Sequence, residues 1–174
     1  LASDIASSGA QVYNGPVTLG QSVILLAPTS TITFNNTVGD TATTYASYVA
    51  KHNANTINTY NLIVVASRIN INADITTYGT QTYGSTSNRS AVYIGDNGTN
   101  GRIRTLVSED PAVTFWGTVD DATANTHTLN VKSVCYVSCT GSDLPTIDFK
   151  SDVGQTAALF SLTATTGQQA TTGT

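Results

Sequence analysis

The segment Ile5-Ala-Ser-Ser-Gly9-Ala-Gln11-Val-Tyr13 returns seventy residues later, without a gap, as Ile75-Thr-Thr-Tyr-Gly79-Thr-Gln81-Thr-Tyr83. A looser third copy, Leu162-Thr-Ala-Thr-Thr-Gly-Gln168-Gln, stands near the end of the chain. Internal repetition constrains a fold more than any other sequence signal, because each unit buries its apolar face against the next and the units stack. The reading is one segment, residues 1–174, built of two repeats (about 5–74 and 75–161) and the start of a third (162–174). Leu1-Ala-Ser3 precedes the first copy much as Leu159-Phe-Ser161 precedes the third. The chain is therefore expected to be an excerpt of a longer repetitive polypeptide.

The residue types point to an all-β fold. Asp outnumbers Glu ten to one and Met is absent, so turn formers replace helix formers. Thr, Val, Ile and Tyr suit a pleated, half-buried surface. Each repeat divides into three short β-rich blocks, as in Pro16–Leu19 with Val23–Leu26, Thr31–Phe34 leading to Asp40, and Leu62–Val65 with Ile69–Ile71. Ile32-Thr-Phe34 is matched by Val113-Thr-Phe115, and Val38 by Val119. Alternation in Ile32/Phe34, Ile69/Ile71, Ile103/Thr105 and Ile147/Phe149 predicts that these residues face inward. A block of about 23 residues matches one coil of a parallel β-helix, within the roughly 20–45 residues of solenoid repeats. Short strands at 8–12-residue spacing also mark a tandem Ig-like β-sandwich, which is the alternative.

Composition also narrows the function. A net charge of −4 with seven scattered basic residues does not supply the Lys/Arg stripe that nucleic acid needs. The longest apolar runs, Val23 to Ala27 and Leu62 to Ala66, are far short of the ~20 residues of a spanning helix, so no membrane insertion is expected. No charged-then-apolar leader stands at Leu1, so any signal peptide is expected upstream or already removed.

Candidate chemistry is sparse. Cys135 and Cys139 are the only cysteines. On an extended strand they would lie ~13 Å apart, so a turned loop is needed to join them as a local disulfide; otherwise they are free thiols. A zinc site lacks its remaining ligands. Glu109-Asp110 and Asp120-Asp121 read as turns flanking strands rather than as a glycosidase pair. Asp96-Asn-Gly-Thr-Asn-Gly101 starts like a calcium loop, but Val107 stands where the closing carboxylate belongs, so a glycine-rich turn is expected. His52 and His127 read as solvated loop residues, without an HExxH or an adjacent nucleophile. No catalytic residue, cofactor or metal is expected. Tyr45, Tyr48 and Tyr60 in the long insertion 41–60, and Trp116 beside Phe115, are the candidate contact residues.

Three phrases carry a resemblance: Gly-Ala-Gln-Val-Tyr-Asn-Gly-Pro-Val-Thr-Leu at 9–19, Thr-Ile-Thr-Phe-Asn-Asn-Thr-Val-Gly at 31–39 and Val-Gly-Gln-Thr-Ala-Ala-Leu-Phe-Ser-Leu-Thr at 153–163. Together they resemble the repeats of filamentous-haemagglutinin-type adhesins, very large bacterial exoproteins exported through an outer-membrane partner. The resemblance implies a right-handed parallel β-helix fibre at the cell surface or in the extracellular medium. Its role would be to space and present contact loops to a host glycan or protein. Its nearest partners would be other copies or neighbouring repeats stacked end to end, since unpaired strand edges invite further pairing. The two cysteines and the long insertions depart from that family pattern. A carbohydrate- or calcium-binding sandwich module and a β-helix polysaccharide-degrading enzyme are the competing classes.

Overall fold

The computed structural model describes residues 1–40, 60–96, 98, 103–108, 112–135 and 144–168. Among them there is no helix, and every strand pairing is parallel. The strands are β1 (Ile5–Ala6), β2 (Gln11–Tyr13), β3 (Val17–Leu19), β4 (Val23–Phe34), β5 (Val38–Asp40), β6 (Leu62–Ile71), β7 (Ile75–Thr77) and β8 (Gln81–Tyr83). They continue with β9 (Ala91–Ile94), β10 (Ile103–Ser108), β11 (Ala112–Phe115), β12 (Val119–Asp121), β13 (Thr128–Cys135), β14 (Thr146–Phe149) and β15 (Ser161–Gln168).

These strands form three ladders. The first contains β1, the front halves of β4 and β6, then β8, β11 and β14. The second contains β2, the rear halves of β4 and β6, then β9 and β12. The third runs β3, β5, β7, β10, β13, β15. Along the sequence the chain visits the first, second and third ladder in turn and returns to the first. This all-parallel order is compatible with a β-solenoid. The antiparallel pairing that an Ig-like sandwich requires is absent among the described strands. Where β4 passes between ladders, the register with β6 shifts between Ala27 and Thr31. Pro28 sits in that break, where a missing backbone donor costs the ladder nothing.

Inward residues stack in register. Ile32, Ile69 and Val92 are wholly buried one above another, as are Phe34, Ile71 and Ile94. Tyr83, Phe115 and Phe149 stack with ring centroids 5.1 and 4.9 Å apart, and Tyr13 stacks on Phe34 at 5.3 Å. Offset aromatic pairs of this kind contribute about 0.5–1.5 kcal/mol each beyond their burial. In β10 Arg104 and Leu106 are buried; Leu106 pairs with the buried Ile75 and Val131, and Arg104 shares its parity. The side chains of Ile103 and Thr105, expected to face inward, lie outside those the structure describes.

The repeated motif has a structural cause. In its first copy Ser7 Oγ donates to the Gly9 carbonyl at 2.6 Å. Gln11 Nε2 reaches the Ile5 carbonyl at 3.5 Å and Ser7 Oγ at 3.3 Å, and Tyr13 Oη donates to Gln11 Oε1 at 2.8 Å. In the second copy Thr77, Gly79, Gln81, Ile75 and Tyr83 repeat each bond, at 2.6, 3.4, 3.2 and 2.8 Å. Both copies turn a corner, but at different places: the first leads from the first ladder to the second, and the second leads from the third to the first. The seventy-residue spacing is therefore not a whole number of circuits of the ladders.

Candidate functional site: a polar groove beside a carboxylate–imidazole–carboxylate clasp

The corner after the second ladder is built from the residue that follows each strand: Asn14, Asn35, Asn72, Gly95 and Ala122. Backbone bonds hold them in register, from Asn35 N–H to the Tyr13 carbonyl, Asn72 N–H to Phe34, Gly95 N–H to Ile71 and Ala122 N–H to Ile94. Asn35 Nδ2 donates to Asn14 Oδ1, and Asn72 Nδ2 to Asn35 Oδ1, each at 2.8 Å. The amide ladder stops at Gly95, where a Cβ would lie 2.6 Å from Asn72 Oδ1. Beyond that point the corner opens into a groove of about 350 Å3. Strand β6 and the residue after it line it with Arg68, Asn70 and Asn72, and the connections after β9 and β12 line it with Asp96, Thr123, Thr126 and His127.

His127 anchors the groove. Its Nδ1 lies 2.5 Å from Asp121 Oδ1 and its Nε2 lies 2.9 Å from Asp96 Oδ2. Asp121, itself buried, also accepts the backbone N–H groups of Thr123 at Oδ1 and of Thr126 and His127 at Oδ2, at 2.8–2.9 Å. Burial raises its pKa, but the bonds from the His127 ring and from these N–H groups outweigh it and hold the carboxyl below its ordinary range. Asp96, a third exposed, is held low chiefly by the His127 bond and next by Gly98 N–H, which donates to Oδ1 at 2.8 Å. The three side chains tie the connection after β9 to the connection between β12 and β13. Because Asp96 occupies Nε2, the ring is a structural bridge here and not an open base. Arg104, wholly buried, donates from Nε to the Gly95 carbonyl at 2.6 Å. Burial lowers its pKa, against the opposing fields of Asp74 and Asp96.

His127 thus corrects the expectation of a solvated loop residue: it is 3 % exposed. His52 lies outside the described residues. Asp120 and Asp121 end strand β12 as buried acceptors for loop N–H groups, not as an exposed turn. Asp120 Oδ1 accepts Thr156 and Ala157 N–H, and its Oδ2 is buried with no hydrogen-bond partner. Glu109 and Asp110 lie outside the described residues.

A second hollow of about 340 Å3 runs along β3, β5 and β7, with Asp40 and Asp74 in its wall. Burial raises the Asp40 pKa to about 6, against the lowering effect of the Tyr78 N–H, which donates to Oδ2 at 2.6 Å.

Of the expected contact residues, Tyr45 and Tyr48 lie outside the described part of the chain. Tyr60 packs half-buried against the core rather than standing free. Trp116 is half-buried at the corner after β11, with Lys150 Nζ 5.8 Å from its ring centroid. Cys135 is buried at the end of β13 and disulfide-bonded; Cys139 lies outside the described residues. Tyr60, Trp116 and Cys135 are not among the residues that line the groove. Asp96 and His127 were each singled out in the sequence, but their grouping with Arg68 was not, because the three are 28 to 59 residues apart. One signal was available: Asn follows Tyr13, Phe34 and Ile71, and the first strand end that breaks the rule, Ile94-Gly95, marks the groove.

Compared with known proteins, the chain matches no family model, no curated protein and no solved structure.

Proposed function

We propose that this chain is a segment of a right-handed parallel β-helix from a secreted or cell-surface bacterial fibre of the filamentous-haemagglutinin-type adhesin kind. Its work is mechanical and adhesive: it spaces a contact surface from the cell and presents loops to a host glycan or protein. The observation that carries the reading is the strictly parallel, cyclic order of the three ladders, with apolar and aromatic side chains stacked in register. A disulfide-bonded Cys135 suits an oxidising, extracellular address. Apolar side chains left exposed at the last described strand also suit assembly. Phe160 and Leu162 are 70 % and 40 % exposed, and Leu162 extends the ladder below the buried Leu129. Another copy stacked end to end covers that surface.

Fibre diffraction tests this reading. Parallel coils give a reflection near 4.8 Å along the fibre axis, and sedimentation should show concentration-dependent, end-to-end oligomers. Antiparallel sheets ~10 Å apart, or a monomer at every concentration, would overturn it.

A further inference from the structure

We propose that the groove beside the clasp is a ligand site for an acidic sugar of the hexuronate class. Arg68 binds the carboxylate, and the opposite wall accepts the hydroxyl groups. Such a site depends on the groove itself and not on whether the chain belongs to a fibre.

Arg68 is exposed but already held in place. Its guanidinium lies 3.8 Å above the Tyr93 ring, and its Nε donates to Asn70 Oδ1 at 2.7 Å. Asn70 is fixed in turn by donating from Nδ2 to Thr33 Oγ1 at 3.0 Å. Stacking and the Nε bond freeze the side chain while leaving its terminal nitrogens for a ligand. Among the described residues no carboxylate pairs with it. A guanidinium fork of this kind matches a planar carboxylate with two parallel bonds, and its ordering cost is met before any ligand arrives.

The other wall supplies the remaining selectivity. Asp96 is fixed by His127 and Gly98 N–H, and its remaining lone pairs accept hydroxyl groups. Its negative charge repels a second anion at that end, and so sets the ligand's direction: acid toward Arg68, hydroxyls toward Asp96. The same charge disfavours phosphate and sulfate relative to a singly charged acid. Thr123 and Thr126 add hydroxyl groups on this side. The groove, at about 350 Å3, lies at the small end of the roughly 300–1,000 Å3 of ligand pockets, which suits a sugar rather than a larger cofactor.

Calorimetric titration of the full chain with methyl galacturonide, a single sugar with one carboxylate, tests this, with methyl galactoside and inorganic phosphate as controls. Saturable binding of the uronate is expected, weaker by roughly tenfold or more in Arg68→Ala, with Arg68→Lys intermediate. Because Arg68 is a surface side chain, the circular dichroism of both variants should match the parent. Asp96→Asn should gain affinity for phosphate by relieving the repulsion. Absence of uronate binding overturns the proposal. So does equal binding of the neutral sugar, equal binding of phosphate, or uronate affinity unchanged in Arg68→Ala.

Discussion

Replacing Asp121 by Asn separates a hydrogen-bonded clasp from a mere crowd of charges. Each Asp121 oxygen receives two donors: Thr123 N–H and His127 Nδ1 at Oδ1, Thr126 N–H and His127 N–H at Oδ2. Whichever way an asparagine amide is turned, its NH2 faces two donors, and two of the four bonds are lost. Bonds to a charged group contribute about 1.5–3 kcal/mol each, and breaking a buried ion pair costs about 3–5 kcal/mol. The expected loss for Asp121→Asn is about 3–5 kcal/mol. Asp96→Asn disturbs a partly exposed partner and should cost only about 0–1 kcal/mol. In a chain of this length, the larger loss lowers the melting temperature by about 6–20 °C. Urea unfolding of both variants reads the difference. Amide exchange should place the Asp121→Asn damage between residues 122 and 134. The penalty also depends on pH. The folded-state pKa of Asp121 lies below its ordinary value of 3.8, so the unfolded chain binds more protons and this contribution is present above that value. It disappears as pH falls through the lowered folded value. Equal costs for the two variants, or a penalty for Asp121→Asn that does not shrink as the pH is lowered below 3.8, would refute the reasoning.

Tyr83→Phe removes a wholly buried bond to Gln81 and should cost about 1–2 kcal/mol. Tyr13→Phe, at the half-buried copy of the motif, should cost less, and the ranking of urea midpoints checks the order. Gly117→Ala would place a Cβ 2.2 Å from the Ser90 carbonyl oxygen. That atom belongs to the backbone and cannot yield, so a loss of at least about 3 kcal/mol is expected; Gly15→Ala, with open space around it, is the thermal-melt control. For Asp40 the sign is opposite to that of Asp121. Its folded pKa, about 6, is raised, so the folded state binds more protons and stability declines as pH climbs from about 4 through 6. Asp40→Asn should therefore outlast the parent at pH 7.5 and lose that advantage at pH 4, as followed by melting temperature.

How much was legible in the chain turns on what kind of rule each residue obeys. Strand positions with apolar alternation, such as Ile32/Phe34 and Ile69/Ile71, were readable because burial and pleat enforce the same period. In β10 a buried arginine breaks the equation of polar with outward. Arg104 stays inside by bonding the Gly95 carbonyl, a partner that only the fold brings near. His127 misled for the same reason: its loop position was visible, but the two carboxylates that bury it come from separate circuits of the chain. The repeat holds the deeper lesson. Ser or Thr, Gly, Gln and Tyr recur because one hydrogen-bonded corner needs all of them: the hydroxyl for the turn, the amide to bridge two acceptors, the phenol to satisfy the amide. Such a corner serves equally well wherever the chain leaves one ladder for another. Its recurrence therefore marks the chemistry of turning and not the length of a circuit. That is why a seventy-residue spacing fitted a stacked parallel fold while placing its two copies on different ladders.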